Sequence, residues 1–181
     1  MSNTHVVFEP KQMMSLSNDS LVRTVVLDSD ADNGTAVVLG LPLTTIFDEV
    51  EIGACNAIVA SEITDVIAVL DGDGNGTADG YDVGLADPRH FYNVANKATR
   101  ARILMPFDEF AMPTAAINGA FVAQTHIVVD TAAGEEGKFV LTDVAGAAAA
   151  TFAGLILNRA IPVLFGNTKV DFTMIRVIKN G

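Results

Sequence analysis

The strongest chemical signal in the sequence is a twelve-residue stretch, 71–82, rich in Asp and Gly. Counted from its first residue, it places oxygen donors where an EF-hand loop places calcium ligands. Positions 1, 3, 5, 9 and 12 carry the side chains of Asp71, Asp73, Asn75, Asp79 and Asp82, and position 7, whose backbone carbonyl is the ligand, is Thr77. Gly76 occupies the sixth position, where such loops turn sharply. The spacing therefore predicts a structural Ca²⁺ site.

Two features separate this loop from a calcium sensor. Its last position is Asp82 rather than the longer Glu, as in the loops of dockerin modules, which it resembles here. The loop also follows a β-like run at 65–70 instead of a helix, so no opening of paired helices is expected. The alternative interpretation is a solvated Gly/Asp turn at a hairpin tip. A second acidic group at 28–32 lacks an oxygen ligand at its twelfth position, Leu39, and is interpreted as the acidic end of a hairpin.

Catalytic motifs are scarce, and the sequence predicts no enzyme. The histidines are His5, His90 and His126, and only His126 has a candidate partner, Asp130, on the same face of a predicted strand. A lone His on a strand is usually structural. Cys55 has no basic neighbour in sequence to lower its pKa, which favours a buried small side chain. A site assembled from residues distant in sequence stays open as an alternative.

Most of the remaining chain is patterned as short strands. Asp32-Asn33-Gly34 separates two β-branched runs, which predicts a hairpin. Predicted strands cover residues 21–27, 35–39, 57–60, 65–70, 97–104, 121–124, 126–130, 138–142, 151–157 and 170–178, with one helical turn at 107–111. The run at 147–150 has helix propensity, but flanking glycines argue against a long helix.

This spacing of strands and turns is typical of an all-β domain. The expected fold is mainly β, a single antiparallel β-barrel or sandwich-like domain with little helix. Residues 1–20 are expected to form an extended N-terminal arm, with disorder as the alternative, and residues 21–181 the single domain. On this prediction the loop at 71–82 lies inside the domain.

The composition limits the classes of partner that the protein is expected to bind. The chain has 181 residues and a formal net charge of −11, and its eleven basic residues are scattered, so neither nucleic acid nor an anionic membrane is expected as a partner. One cysteine allows no intrachain disulfide, and no signal peptide or membrane span is expected. Synthesis in a cytoplasm is expected. The apolar half of the chain is rich in Ala and Val, which suits a protein that buries surface against neighbours.

Several stretches together resemble tailed-bacteriophage capsid decoration or head-fibre-like proteins. The stretches are Phe8-Glu9-Pro10-Lys11, residues 32–40, residues 87–101 and the closing strand that ends Met174-Ile175-Arg176-Val177-Ile178. The resemblance implies a small β-rich virion protein without catalytic residues. It implies binding to the major capsid protein on the outer capsid surface, with homo-oligomers expected at lattice sites. It does not imply the calcium-type loop. The alternative function is a calcium-dependent adhesion or scaffold module organised by residues 71–82.

Overall fold

The computed structural model describes residues 9–12, 22–42, 54–71, 92–165 and 168–181. Their strands are β1 (Glu9–Gln12), β2 (Val22–Val26), β3 (Ala36–Pro42), β4 (Cys55–Val59), β5 (Ala68–Leu70), β6 (Ala98–Ile103), β7 (Glu109–Pro113), β8 (Ile117–Asn118), β9 (His126–Val129), β10 (Phe139–Thr142), β11 (Phe152–Phe165) and β12 (Thr168–Asn180). Helical structure in these ranges is limited to α1 (Val144–Ala149) and a 3-10 turn at Thr114–Ala116. The protein is mainly β with little helix, which confirms the predicted fold class.

Strands β2 to β6 close into a five-stranded barrel in the order β2-β4-β3-β5-β6. Strand β2 runs parallel to β4, and the other neighbours in the barrel are antiparallel. The closing pair is β2 with β6, where Val22 lies opposite Arg102 and Val26 lies opposite Ala98. Closure leaves the barrel without a free strand edge.

The barrel interior is filled mainly by small side chains. Its core contains Val25, Leu27, Val37, Cys55, Ala57, Ala68, Leu70 and Ala101. Barrel diameter grows with strand number, so a five-stranded barrel has little room for aromatic rings. Part of the Ala and Val content that the sequence suggested for interfaces therefore lies inside the barrel.

The other seven strands form a curled sheet in the order β1-β7-β12-β11-β9-β10-β8. Its core is built on aromatic side chains: the ring centroid of Phe139 lies 6.4 Å from that of Phe110 and 5.4 Å from that of Phe152. The same cluster includes Ala36 and Val69 from barrel strands. The sheet and the barrel therefore share one apolar core.

Gly137 joins the two sheets through its backbone. Its N–H donates to the carbonyl of Ala60 at 2.8 Å, and its carbonyl accepts from the N–H of Ala36 at 2.8 Å. Its φ is +77°, and a Cβ at this position would overlap the side chains of Val59 and Thr35. Both the conformation and the close approach require glycine here.

The predicted hairpin between residues 21–27 and 35–39 is wrong, although both strands form. Strand β2 pairs with β4 and β6, whereas β3 pairs with β4 and β5. The Asn33-Gly34 turn does form, with the N–H of Thr35 bonded to the carbonyl of Asp32 at 3.3 Å. Only its glycine has positive φ (+86°), whereas a tight type I′ hairpin needs positive φ at both central residues. Gly34 then donates to Leu70 at 2.8 Å, which leads the chain onto β5.

The helical turn predicted at 107–111 is also wrong. Phe107 has a positive φ of 76°, and its N–H donates to Val177 at 2.8 Å. Strand β7 follows immediately and pairs with β12, so ladder pairing overrides the local preference. The run predicted as a strand at 121–124 contains a turn at 121–123.

Helix α1 is short, as the glycines around it predicted. Asp143 caps it by accepting from the N–H of Gly146 at 2.8 Å. Near the N-terminus, β1 lies within the predicted extended arm and pairs with β7, with Pro10 opposite Phe110. The boundary expected at residue 20 falls outside the described residues.

Candidate functional site

The acidic loop begins at a charged pair at the end of β5. Asp71 is buried, and its Oδ2 accepts two hydrogen bonds from Arg102, from Nε at 3.1 Å and from Nη2 at 3.0 Å. Arg100 lies at 3.8 Å from the same oxygen. The two arginines are two residues apart on β6 and so share one face of the strand, and Arg102 is buried.

The other five predicted calcium ligands, Asp73, Asn75, Thr77, Asp79 and Asp82, lie outside the described residues. The calcium site therefore stays a prediction. Asp71 adds one constraint, because its Oδ2 is already bonded to a guanidinium. A cation bound to that oxygen would lie close to two positive charges, which opposes binding.

The second acidic segment is fixed by local contacts. Oδ1 of Asp30 accepts the N–H of Ala95 at 2.8 Å, and Ala31 bridges to Asn93. Within the described ranges, no three His, Cys, Asp or Glu side chains converge as a metal group. The segment is the acidic end of a crossing between barrel strands and not of a hairpin.

The structure places the candidate catalytic residues in separate surroundings. Nδ1 of His126 lies 2.8 Å from Thr125 Oγ1, whereas Asp130 accepts from Asn118 at 2.8 Å. Four residues of strand separate the two, roughly 13 Å at about 3.3 Å per residue. Cys55 lies in the barrel core, where burial raises the pKa of its thiol and the nearby Arg23 lowers it by less. His5 and His90 lie outside the described residues.

Asp130 belongs to a polar cluster at the β9–β10 turn. The amide of Asn118 donates to Asp130 and also to Glu135, at 2.8 and 2.9 Å. Lys138 binds Glu135 at 2.7 Å, and this hydrogen bond holds the pKa of Glu135 below its ordinary value. These contacts hold the turn that carries Gly137, so the cluster has a structural use.

A feature that the sequence did not predict is a projecting hairpin. Strands β11 and β12 pair with each other from their first to their last residues. Strand β9 pairs with β11 only at Gly154 and Leu155, and β7 pairs with β12 only from Phe172 onward. Among the described strands, none flanks residues 157–165 or 168–171, which we call the arm. It extends roughly 13 Å past the last pairing with β7, at about 3.3 Å per residue.

Specific contacts hold the base of the arm, and its strand edges are irregular. The register of β11 shifts at Asn158, and Ala160 has a φ of 53°. Arg159 donates to the carbonyl of Phe121 at 2.9 Å and lies 5.2 Å from the centroid of its ring. Bulges and a proline, here Pro162, make a strand edge unsuited to added strands. The arm is therefore built to present side chains rather than free backbone.

The two faces of the arm differ. On one face Ile161, Val163 and Val170 pack beside the buried Phe172. On the other, Leu164 is 73% exposed next to Lys169, which pairs with Asp171 at 3.3 Å. An isolated two-stranded ribbon is marginally stable in water. An exposed apolar ribbon is typical of a surface that is covered by a partner.

A cleft of about 370 Å³ lies between the barrel and the curled sheet. Buried Met112 and Phe139 belong to its apolar lining. Three carboxylates also line it, those of Asp30, Asp32 and Glu136. Its one basic side chain, Lys138, is paired with Glu135. The lining of the cleft is therefore partly apolar and partly acidic.

One feature of the sequence distinguishes the segment that leads into the arm. Residues 144–170 contain no Asp or Glu, in a chain with 22 acidic residues. Separate strands were predicted at 151–157 and 170–178, and the apolar run between them supplies the arm. Pro162 and Gly166 are disfavoured inside strands, so the sequence did not predict a strand across this run.

The comparisons with known proteins found no matching family model, no matching curated protein and no matching solved structure. None of the helices in the described ranges is long and apolar enough to cross a membrane.

Proposed function

We propose that this protein is a non-enzymatic structural protein that binds the outer surface of a tailed-phage capsid. In this role it decorates or cements the lattice of the major capsid protein. The observation that carries the proposal is the arm, a rigidly rooted ribbon with exposed apolar side chains. Such a surface gains free energy when a partner covers it. The proposed location is the surface of the virion, after synthesis in the host cytoplasm.

Two further observations support a structural role. The shared core and the closed barrel give a stiff body, which suits a protein that bridges subunits under mechanical load. The formal net charge of −11 disfavours contact with packaged DNA and so favours the outer face. The assignment to a phage capsid rests on the sequence resemblance of residues 8–11, 32–40, 87–101 and the closing strand.

Co-sedimentation with mature capsids that lack the protein tests the proposal, with bound copies counted per shell. We expect saturable binding at a fixed copy number, reduced by Leu164→Ser on the arm. Val122→Ser is the matched control, because Val122 is 85% exposed and lies outside the arm. Absence of binding by the folded wild-type protein would refute the capsid assignment.

Running the same experiment in calcium and in EDTA examines the loop at 71–82. Loss of binding in EDTA would add calcium to the mechanism. Equal binding in both buffers would leave the arm as the docking element and exclude a calcium-dependent attachment.

A further inference from the structure

We infer that Phe107 is a preformed contact residue for the partner that the arm binds, which is the major capsid protein under the proposed function. The inference rests on that function and deepens it, because it names a second contact outside the arm. The backbone conformation, the exposure and the position of one turn carry it.

Phe107 has a backbone conformation that is unfavourable for its side chain. Residues 105–108 form a turn in which the N–H of Asp108 bonds to the carbonyl of Met105 at 3.0 Å. Pro106 is the second residue of this turn, and Phe107 is the third, with a φ of +76°. Positive φ at the third position is typical of a type II turn, where Gly is the usual residue. A bulky residue in this conformation is strained, and such strain is concentrated where a side chain has a function.

Four hydrogen bonds hold the turn in this conformation. Besides the bond within the turn, Oδ2 of the buried Asp108 accepts the N–H of Met105 at 2.8 Å. The N–H of Phe107 donates to the carbonyl of Val177 at 2.8 Å, and the N–H of Val177 donates to the carbonyl of Asp108 at 2.9 Å. These bonds fix the backbone beneath a side chain that is 71% exposed. A partner that covers the ring therefore loses little free energy to ordering it.

Phe107 lies in an exposed apolar patch. Met105 in the same turn is 38% exposed, and Ile178 on β12 is 43% exposed. We call these three residues the Phe107 patch. Arg176, which pairs with Glu109, lies two residues before Ile178 on the same strand. Phe, Met and Arg are enriched in protein interfaces relative to the remaining surface, so the composition of this region suits a contact with another protein.

The position of the Phe107 patch favours the same partner as the arm. Strand β12 runs from the arm, which ends at Asp171, to Ile178 and beyond. The seven steps of strand from 171 to 178 span roughly 23 Å at about 3.3 Å per residue. A standard interface buries about 800 Å² on each partner, which is a patch roughly 30 Å across. One capsid subunit is therefore large enough to contact both the arm and the Phe107 patch.

Phe107→Gly separates binding from folding, because Gly adopts positive φ without strain and has no ring. We expect its urea midpoint to equal or exceed that of the wild type. We expect its affinity for capsids that lack the protein to fall at least about tenfold, the size of effect that removal of a major contact residue has. Co-sedimentation at a series of protein concentrations measures the affinity. A residue needed only for the fold would lower stability and binding together.

Asn96→Gly is the matched backbone control. Asn96 also has positive φ, 58°, but it is exposed in the turn that precedes β6 of the barrel. We expect this variant to bind capsids as the wild type does. Phe107→Asn is a second test variant, because Asn tolerates the left-handed region and replaces the ring with a polar group. It should bind as weakly as Phe107→Gly.

The outcomes separate this inference from the proposed function. If the wild type binds capsids and both Phe107 variants bind as well as Asn96→Gly, the inference is wrong and the proposed function stands. A urea midpoint that falls in both Phe107 variants would assign the ring to the packing of the protein itself and would also overturn the inference. Failure of the folded wild-type chain to bind capsids would overturn both. Loss of self-association with unchanged capsid binding would identify a second copy as the partner of Phe107 and overturn the inference alone.

Discussion

The barrel and the curled sheet each bury an apolar core, but with side chains of different size. The closed barrel is narrow, and alanines such as Ala101 fill its interior. The curled sheet is open, and rings such as Phe139 fill the larger space between it and the barrel. Closure therefore limits the size of the side chains inside a barrel, whereas an open sheet gains core volume by packing on a neighbouring element. The two regions should respond oppositely to changes of side-chain size.

The largest effect is expected from truncation in the curled sheet. Phe139→Ala removes a fully buried ring between Phe110 and Phe152 and should lower the free energy of unfolding by about 4 kcal/mol. Urea denaturation followed by circular dichroism measures the change. Val122→Ala is the exposed control and should change it by less than about 0.5 kcal/mol. A loss at 139 similar to the control would mean that the ring of Phe139 is not packed in a core.

The barrel should be most sensitive at its buried charged pair. Asp71→Ala leaves the guanidinium of Arg102 buried without its carboxylate and should cost about 3 kcal/mol. Arg100→Ala is the matched comparison, because the Arg100 side chain is 43% exposed, lies 3.8 Å from the Asp71 carboxylate and makes its close contact, at 2.9 Å, to the backbone carbonyl of Asp71. It should cost less than about 1 kcal/mol. Equal costs in thermal or urea unfolding would show that burial does not distinguish the two arginines.

The junction between the regions is tested at Gly137. Gly137→Ala and Gly134→Ala both force alanine into a positive φ, but only a Cβ at 137 meets neighbouring atoms. The shared backbone cost is about 1 to 2 kcal/mol. Overlap with the barrel should add about 2 kcal/mol at 137.

The difference between the two glycine variants in urea denaturation isolates the junction. We expect a single unfolding transition in both, since the core is shared. Two separate transitions in Gly137→Ala would show that this backbone contact is what couples the barrel to the sheet. Equal free energies for the two variants would contradict the steric role of Gly137.

Larger side chains in the core should destabilise the barrel more than the curled sheet. Ala101→Leu introduces three carbon atoms into the closed interior and should cost about 2 kcal/mol by overpacking. Ala98→Leu in the same strand is the control, because Ala98 is exposed. Chemical denaturation of both variants gives the comparison. A barrel that accepts leucine at 101 without loss would have unused internal space.

The smallest effect on stability is expected at the arm. Leu164→Ser should change the free energy of unfolding by less than about 0.5 kcal/mol, because Leu164 is 73% exposed in the isolated chain. The same substitution should weaken capsid binding. Thermal unfolding of the isolated chain measures the stability change. A large loss of monomer stability would show that the arm belongs to the core.

Local sequence predicted strand positions better than strand partners. The runs at 21–27, 35–39 and 138–142 all became strands, because β-branched residues between turn formers carry that information locally. The hairpin failed because Gly34 alone took positive φ and ladder bonds to Leu70 directed β3 elsewhere. The sequence indicated only part of the charged pair of Asp71 with Arg102. The spacing of Arg100 and Arg102 places both on one face of a strand, but the burial of Arg102 depends on tertiary packing.

The sequence by itself determined the mainly β class, the short helix and the acidic, cysteine-poor character, because these follow from composition and from residues within one turn or strand. Only the tertiary structure decided the barrel, the curled sheet, the arm and the cleft. Each of these depends on pairing or packing between residues far apart in the chain, such as Ala36 with Gly137 or Leu155 with His126. Such pairings are selected by the free energy of the whole core, which no short stretch of sequence encodes.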